Sequence, residues 1–159
     1  MSGNRLVQNK SSLLFLCLLG LLASCTEAPK TFALMQEIPS GNWRRQDSLS
    51  FELPVRDSLR LYHIDIIGRL RNTYAMDSLR VILKVSAPSG IWFRDTVHVV
   101  LTRAYDRLWE DFRFSYCSRI KFAQKGVWRF ELWHYMDTEI LKGVSAIGFY
   151  IKQKDDGEK

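Results

Sequence analysis

From Trp43 onward, apolar residues recur at every second position, the period of a strand with one buried face rather than the 3.6-residue period of a helix. Leu49, Phe51 and Leu53 alternate with polar neighbours until Pro54 ends the run. Tyr62, Ile64 and Ile66 alternate against His63 and Asp65. Leu79, Val81, Leu83 and Val85 do so against Arg80 and Lys84, and Val97, Val99 and Leu101 against Thr96, His98 and Thr102. Phe112, Phe114 and Tyr116 oppose Asp111, Arg113 and Ser115. Trp128, Phe130, Leu132 and Met136 oppose Arg129, Glu131, Trp133 and Tyr135, and residues 144–152 close the series. Asp-Ser-Leu stands before three of these runs, at Asp47, Asp57 and Asp77, with Asp95-Thr96-Val97 as a variant; such side chains close turns by bonding nearby backbone N–H groups. Pro-Ser-Gly-x-Trp occurs at Pro39 and Pro88, each read as a turn followed by a large strand residue. Residues 104–110 are read as one helical turn. About seven to eight short strands without long helical crossovers predict an all-β fold, an antiparallel, jelly-roll-like β-sandwich over residues 43–152.

The N-terminal stretch obeys a different rule. Residues 1–10 are polar, with Arg5 and Lys10 and no acid, and residues 13–22 form an apolar run. A basic start, a short apolar helix and a small-residue cleavage site make a secretory signal. The run is too short for a membrane span, which needs about 20 apolar residues. Leu22-Ala23-Ser24-Cys25 then reads as a lipobox: a branched apolar residue, two small ones and a cysteine. Cleavage between Ser24 and Cys25 makes Cys25 the lipidated N-terminus, and a diacylglyceryl group with an N-acyl chain supplies the more-than-one-chain anchoring that stable attachment requires. The alternative is an ordinary signal peptide with Cys25 incidental. The expected layout is a signal peptide at 1–24, lipidated cysteine and tether at 25–42, the sandwich, and a polar tail at 153–159.

Charge and chemistry narrow the class. The chain carries 23 Lys or Arg against 17 Asp or Glu, net +6, and two of the bases leave with the signal peptide. This mild, interspersed excess argues against nucleic acid as a partner. Cys17 leaves with the leader and Cys25 takes lipid, so Cys117 remains alone; it alternates onto the polar side of its strand with no base nearby, and is read as structural. His63, His98 and His134 lack metal-ligand spacing, so no metal is expected. No G-x-S-x-G elbow is present, and Asp65 with Glu131 is only an arbitrary carboxylate pair. No enzyme activity and no small-molecule cofactor beyond the covalent lipid at Cys25 are expected. Arg69 and Arg71, with Arg60, are read as a small basic patch or as edge-strand charges. The stronger surface candidate is Arg129, Glu131, Trp133 and Tyr135, all on one strand face. Aromatic and Arg clusters suit protein interfaces and sugar platforms; the competing reading covers this face with a loop or the second sheet.

Order and spacing along the mature chain resemble the gliding motility lipoprotein family GldH of Bacteroidota. The resemblance rests on the lipobox cysteine, on Trp43 before Asp47-Ser48-Leu49-Ser50-Phe51, and on Arg69-Leu70-Arg71-Asn72-Thr73-Tyr74. It continues in Gly126-Val127-Trp128-Arg129-Phe130, Met136, Leu141 and Lys142-Gly143-Val144-Ser145-Ala146-Ile147-Gly148. It departs at Ala75, where Pro is usual, at Asp77-Ser78, where Asn is, and at Asp137, where Arg is common. The resemblance implies a role in surface gliding and the associated type IX secretion machinery, with no catalytic or cofactor residues. The expectation is a non-catalytic, lipid-anchored envelope protein acting through contacts with other envelope or gliding-machinery proteins. Cys25-Thr26-Glu27 lacks an acidic run that marks surface export, so the periplasmic face of the outer membrane is the expected site. The alternative is a glycan-binding surface lipoprotein of a nutrient-uptake system.

Overall fold

The structure, a computed structural model, describes residues 30–102 and 106–154. The signal peptide, Cys25 and residues 155–159 lie outside the described residues. Among the described residues ten strands run in order: β1 (Thr31–Glu37), β2 (Asn42–Arg44), β3 (Leu49–Val55), β4 (Leu61–Arg71), β5 (Ser78–Ser86), β6 (Trp92–Val100), β7 (Trp109–Ile120), β8 (Gly126–His134), β9 (Ile140–Lys142) and β10 (Val144–Lys154). Two four-stranded sheets, β1-β10-β4-β7 and β3-β8-β5-β6, form an antiparallel sandwich, and β2 with β9 makes a short ribbon at one end. Among the described residues no helix is long and apolar enough to cross a membrane.

The alternation accounts for the layers. In β5 every second residue is buried, Leu79, Val81, Leu83 and Val85, with Arg80, Ile82 and Lys84 turned outward. In β8, Trp128, Phe130, Leu132 and His134 face inward. Aromatic rings run through the core: Phe122 packs between Tyr62 (4.9 Å) and Trp128 (5.0 Å), and Phe149 between Phe130 (5.1 Å) and Phe51 (5.3 Å). Edge-to-face and tilted pairs of this kind add to the area they bury.

Several expectations change. The expected tether contains β1, which pairs along β10 from Thr31↔Lys152 to Glu37↔Ala146. It is an edge strand, so its inner residues Phe32 and Leu34 are only half-buried and its alternation is weak. The strand count therefore rises from the expected seven or eight to ten. Pro54 does not end its strand but lies within β3, an edge strand whose outer side needs no N–H donor. The expected helical turn at 104–110 is replaced, where described, by a bend leading into β7 at Trp109. Asp95 does not precede a strand; it sits within β6 and accepts the Tyr116 hydroxyl at 3.0 Å. Gln153 and Lys154 are the end of β10 rather than tail.

Candidate functional site

The two outer sheet faces differ in chemistry. On β1-β10-β4-β7, charged groups are stitched together. Arg69 donates two bonds to Asp111, at 2.7 and 2.9 Å, and holds that carboxyl below the usual range. Asp65, buried, takes His63 at 2.6 Å and Arg113 at 3.3 Å, and Arg113 lies 4.0 Å over the Tyr150 ring.

The outer face of β3-β8-β5-β6 carries the aromatic candidates. The register sets three rows across β8, β5 and β6: Arg129, Ser86 and Trp92; Glu131, Lys84 and Arg94; and Trp133, Ile82 and Thr96. Tyr135 comes just after β8, and its N–H bonds the Arg80 carbonyl at 2.7 Å. Arg129 and Tyr135 are exposed, Glu131 and Trp133 half-exposed. Trp133 and Tyr135 border a shallow trough of about 590 Å³, whose walls also include Ile82, Lys84, Trp92 and Arg94; Arg129 and Glu131 lie outside its lining.

Basic groups are pinned beside the rings. Lys84 Nζ sits 3.0 Å from Glu131 and 5.7 Å over Trp92. The Arg80 guanidinium lies 5.9 Å over Tyr135 and 2.8 Å from Asp137. Arg45 closes one end by donating to the carbonyls of Met136 (2.7 Å) and Thr138 (3.2 Å). Arg129 pairs with Glu52 at 3.0 Å. Cations held near ring faces are attracted by the ring quadrupole. They present a rigid surface with few side chains left to order on contact. Trp92, 59% exposed, is the member that sequence reasoning missed; it joins β8 only through the long-range register of β5 with both neighbours.

Other sequence candidates separate. His63 lies outside one sheet, His98 outside the other, and His134 in the core at 1% exposure, its pKa lowered mainly by burial and then by Arg45. Asp65 and Glu131 occupy opposite outer faces. Arg60 precedes β4 while Arg69 and Arg71 end it, roughly 30 Å along the strand, so the three form no common patch. Arg71 instead donates to Ser145 Oγ at 2.9 Å. Cys117 is not on the polar side. Irregular pairing of β4 with β7 puts it opposite Ile64, and Arg119 beyond it takes a positive φ of 59°. Cys117 thus borders an apolar cavity of about 400 Å³ between the sheets, beside Tyr116, Phe122 and Phe93, and burial pushes its thiol pKa up.

Comparison with known proteins gives a consistent result. The family model described as GldH lipoprotein matches residues 30–151. The gliding motility lipoprotein GldH of Flavobacterium johnsoniae is 26% identical over 94% of this chain and 99% of its own length. A GldH homolog from Christiangramia forsetii is 24% identical over 72% of this chain and 79% of its own. Among solved structures, dimeric latent PorU from Porphyromonas gingivalis aligns at a TM-score of 0.37 and 13% identity, over 84% of this chain and 14% of that one; so low a score carries no argument.

Proposed function

The chain belongs to the GldH lipoprotein family, and from that premise we propose that it supports gliding motility and the associated secretion machinery as a non-catalytic contact protein. It is a lipoprotein of the cell envelope. Cys25 carries the lipid, and the periplasmic face of the outer membrane holds it. The lipid confines the domain and its partner to one membrane and raises their effective concentration, so a modest interface suffices.

One observation supports the contact reading above the others: the uncovered aromatic and basic trough of Trp92, Trp133, Tyr135, Lys84 and Arg94, with Arg80 over the Tyr135 ring. Rings on a solvated sheet face are unfavourable unless something covers them, and Trp, Tyr and Arg are the residues on which protein interfaces concentrate their binding energy. The comparisons give the glycan-binding alternative no support.

A clean deletion scored for surface spreading and for the secreted proteome tests the proposal. Spreading or secretion should fall, and wild type but not Cys25→Ala should restore it. Normal spreading and secretion in the deletion would overturn the reading.

A further inference from the structure

We propose that the end of the sandwich where the chain enters is a second contact surface, fitted to anionic phospholipid headgroups, and that the domain stands on the membrane with this end down. The orientation rests on the reading that Cys25 carries the anchor.

The geometry is restrictive. The first strand begins at Thr31. Residues 26–30 span at most about 20 Å even when fully extended. The 11 residues of β4 run roughly 36 Å along the domain. A leash shorter than the domain, attached at one end, does not let the domain stand on its opposite end. The end held close contains the loops 56–60, 87–91 and 121–125, with the start of β1 and the end of β10.

Those segments are basic. Arg56, Arg119, Lys121 and Lys125 are exposed there, joined by Lys30, Arg60, Lys152 and Lys154; among the described residues Asp57 is the acid that accompanies them, paired with Arg60 at 3.4 Å. The opposite end mixes both signs in ion pairs such as Arg45 with Glu139 and Arg80 with Asp137. Two loop tips add apolar reach: Leu59 at 78% and Ile91 at 75% exposure are the most exposed large hydrophobic side chains of the described residues. The loops are tied to one another and to the core. Gln124 Nε2 donates to Ser89 Oγ at 2.7 Å, Trp128 Nε1 to the Gln124 carbonyl at 3.0 Å, and the Tyr62 hydroxyl to the Asp57 carbonyl at 3.0 Å. Basic groups gather at an anionic surface while apolar tips enter its interfacial layer. In sequence, Asp155, Asp156 and Glu158 come after Lys154 and oppose that attraction.

The test uses the mature chain, residues 25–159, carrying Cys25→Ala so that no lipid assists. It should float with vesicles of phosphatidylethanolamine and phosphatidylglycerol at low salt, and stay free at high salt or with phosphatidylcholine alone. Each basic group near an anionic surface is worth roughly fivefold in binding. Arg56→Glu, Lys121→Glu and Lys125→Glu together should therefore weaken binding by about a hundredfold or more at an unchanged melting temperature, and deletion of residues 155–159 should strengthen it. Equal behaviour on both vesicle types, or full binding by the charge-reversed chain, would overturn the surface. The mass of Cys25 in wild-type protein extracted from membranes scores the anchor separately: an unmodified thiol overturns the orientation, whereas a diacylglyceryl mass with no vesicle affinity of the unlipidated chain sinks the surface alone.

Discussion

Pro39-Ser40-Gly41-Asn42-Trp43 and Pro88-Ser89-Gly90-Ile91-Trp92 share a local pattern, and both make turns with a glycine at positive φ, 69° at Gly41 and 85° at Gly90. They sit at opposite ends of the sandwich, and their tryptophans have opposite fates. Trp43 is 1% exposed, donates from Nε1 to the Asp47 carbonyl at 2.9 Å, and meets the His134 ring edge-on at 5.5 Å. Trp92 is 59% exposed, with Lys84 over its ring. The turn is local, but burial is decided by the pairing of the strand that each turn leads into. Trp43 enters the β2–β9 ribbon opposite Leu141, folded over the end of the core. Trp92 opens an edge strand, and its pairing with Ser86 turns it outward. The end holding Trp43 also gathers Tyr74, Met136 and Gly143, residues that carry the family resemblance. One end of the sandwich is thus packed around a buried tryptophan, and the other carries an exposed one among basic loops.

The comparison breaks first at the tryptophans. Trp43→Ala should cost about 3–5 kcal/mol of stability, the range for deleting a buried aromatic, and Trp92→Ala within about 0.5 kcal/mol. Urea denaturation measures both, and similar losses would erase the distinction. The glycines give the next contrast. A Cβ at Gly143 would lie 2.4 Å from the Tyr74 nitrogen, at a φ of 87°, whereas one at Gly90 meets nothing within 4 Å. Gly143→Ala should cost roughly 2–4 kcal/mol from left-handed strain plus overpacking, and Gly90→Ala only the strain, about 1 kcal/mol. The same denaturation curves decide it, and equal losses at the two glycines would contradict the contrast.

His134 sharpens the packed end by pH. Burial and Arg45 lower its pKa, so the unfolded chain binds the proton more readily than the folded one. Its contribution is complete above the unfolded pKa of about 6.5 and is lost as pH falls through the folded value. Melting temperature should decline on acidification below that point, less steeply in His134→Leu; an identical slope would remove His134 from the account. The smallest effect belongs to the solvated Arg129–Glu52 pair, both partners 58% exposed. Glu52→Gln should shift stability by less than about 0.5 kcal/mol.

Much of the fold is legible in the sequence because period-two alternation survives wherever a strand has one dry face, as in β5 and β8. Parity alone turns Trp133 and Tyr135 outward. The features that stay hidden are non-local or irregular. Trp92 joins the trough by cross-strand register, which single-strand parity does not contain. Phe122 fills the core from a loop, outside any alternation. Cys117 changes sides where the pairing of β7 slips. β1 carries its alternation between prolines, and as an edge strand it is hard to tell from a tether.

On the proposed reading, the outer face of β3-β8-β5-β6 is the one that meets a partner. A photo-crosslinking residue placed at Thr96, exposed on that face between Ile82 and the rim, tests it in cells against the same residue at Ser115 on the opposite face. Position 96 should give a discrete protein adduct that disappears with Trp133→Ser and Tyr135→Ser, and position 115 should give none. An adduct from position 115 alone, or one from position 96 that survives both substitutions, would contradict it.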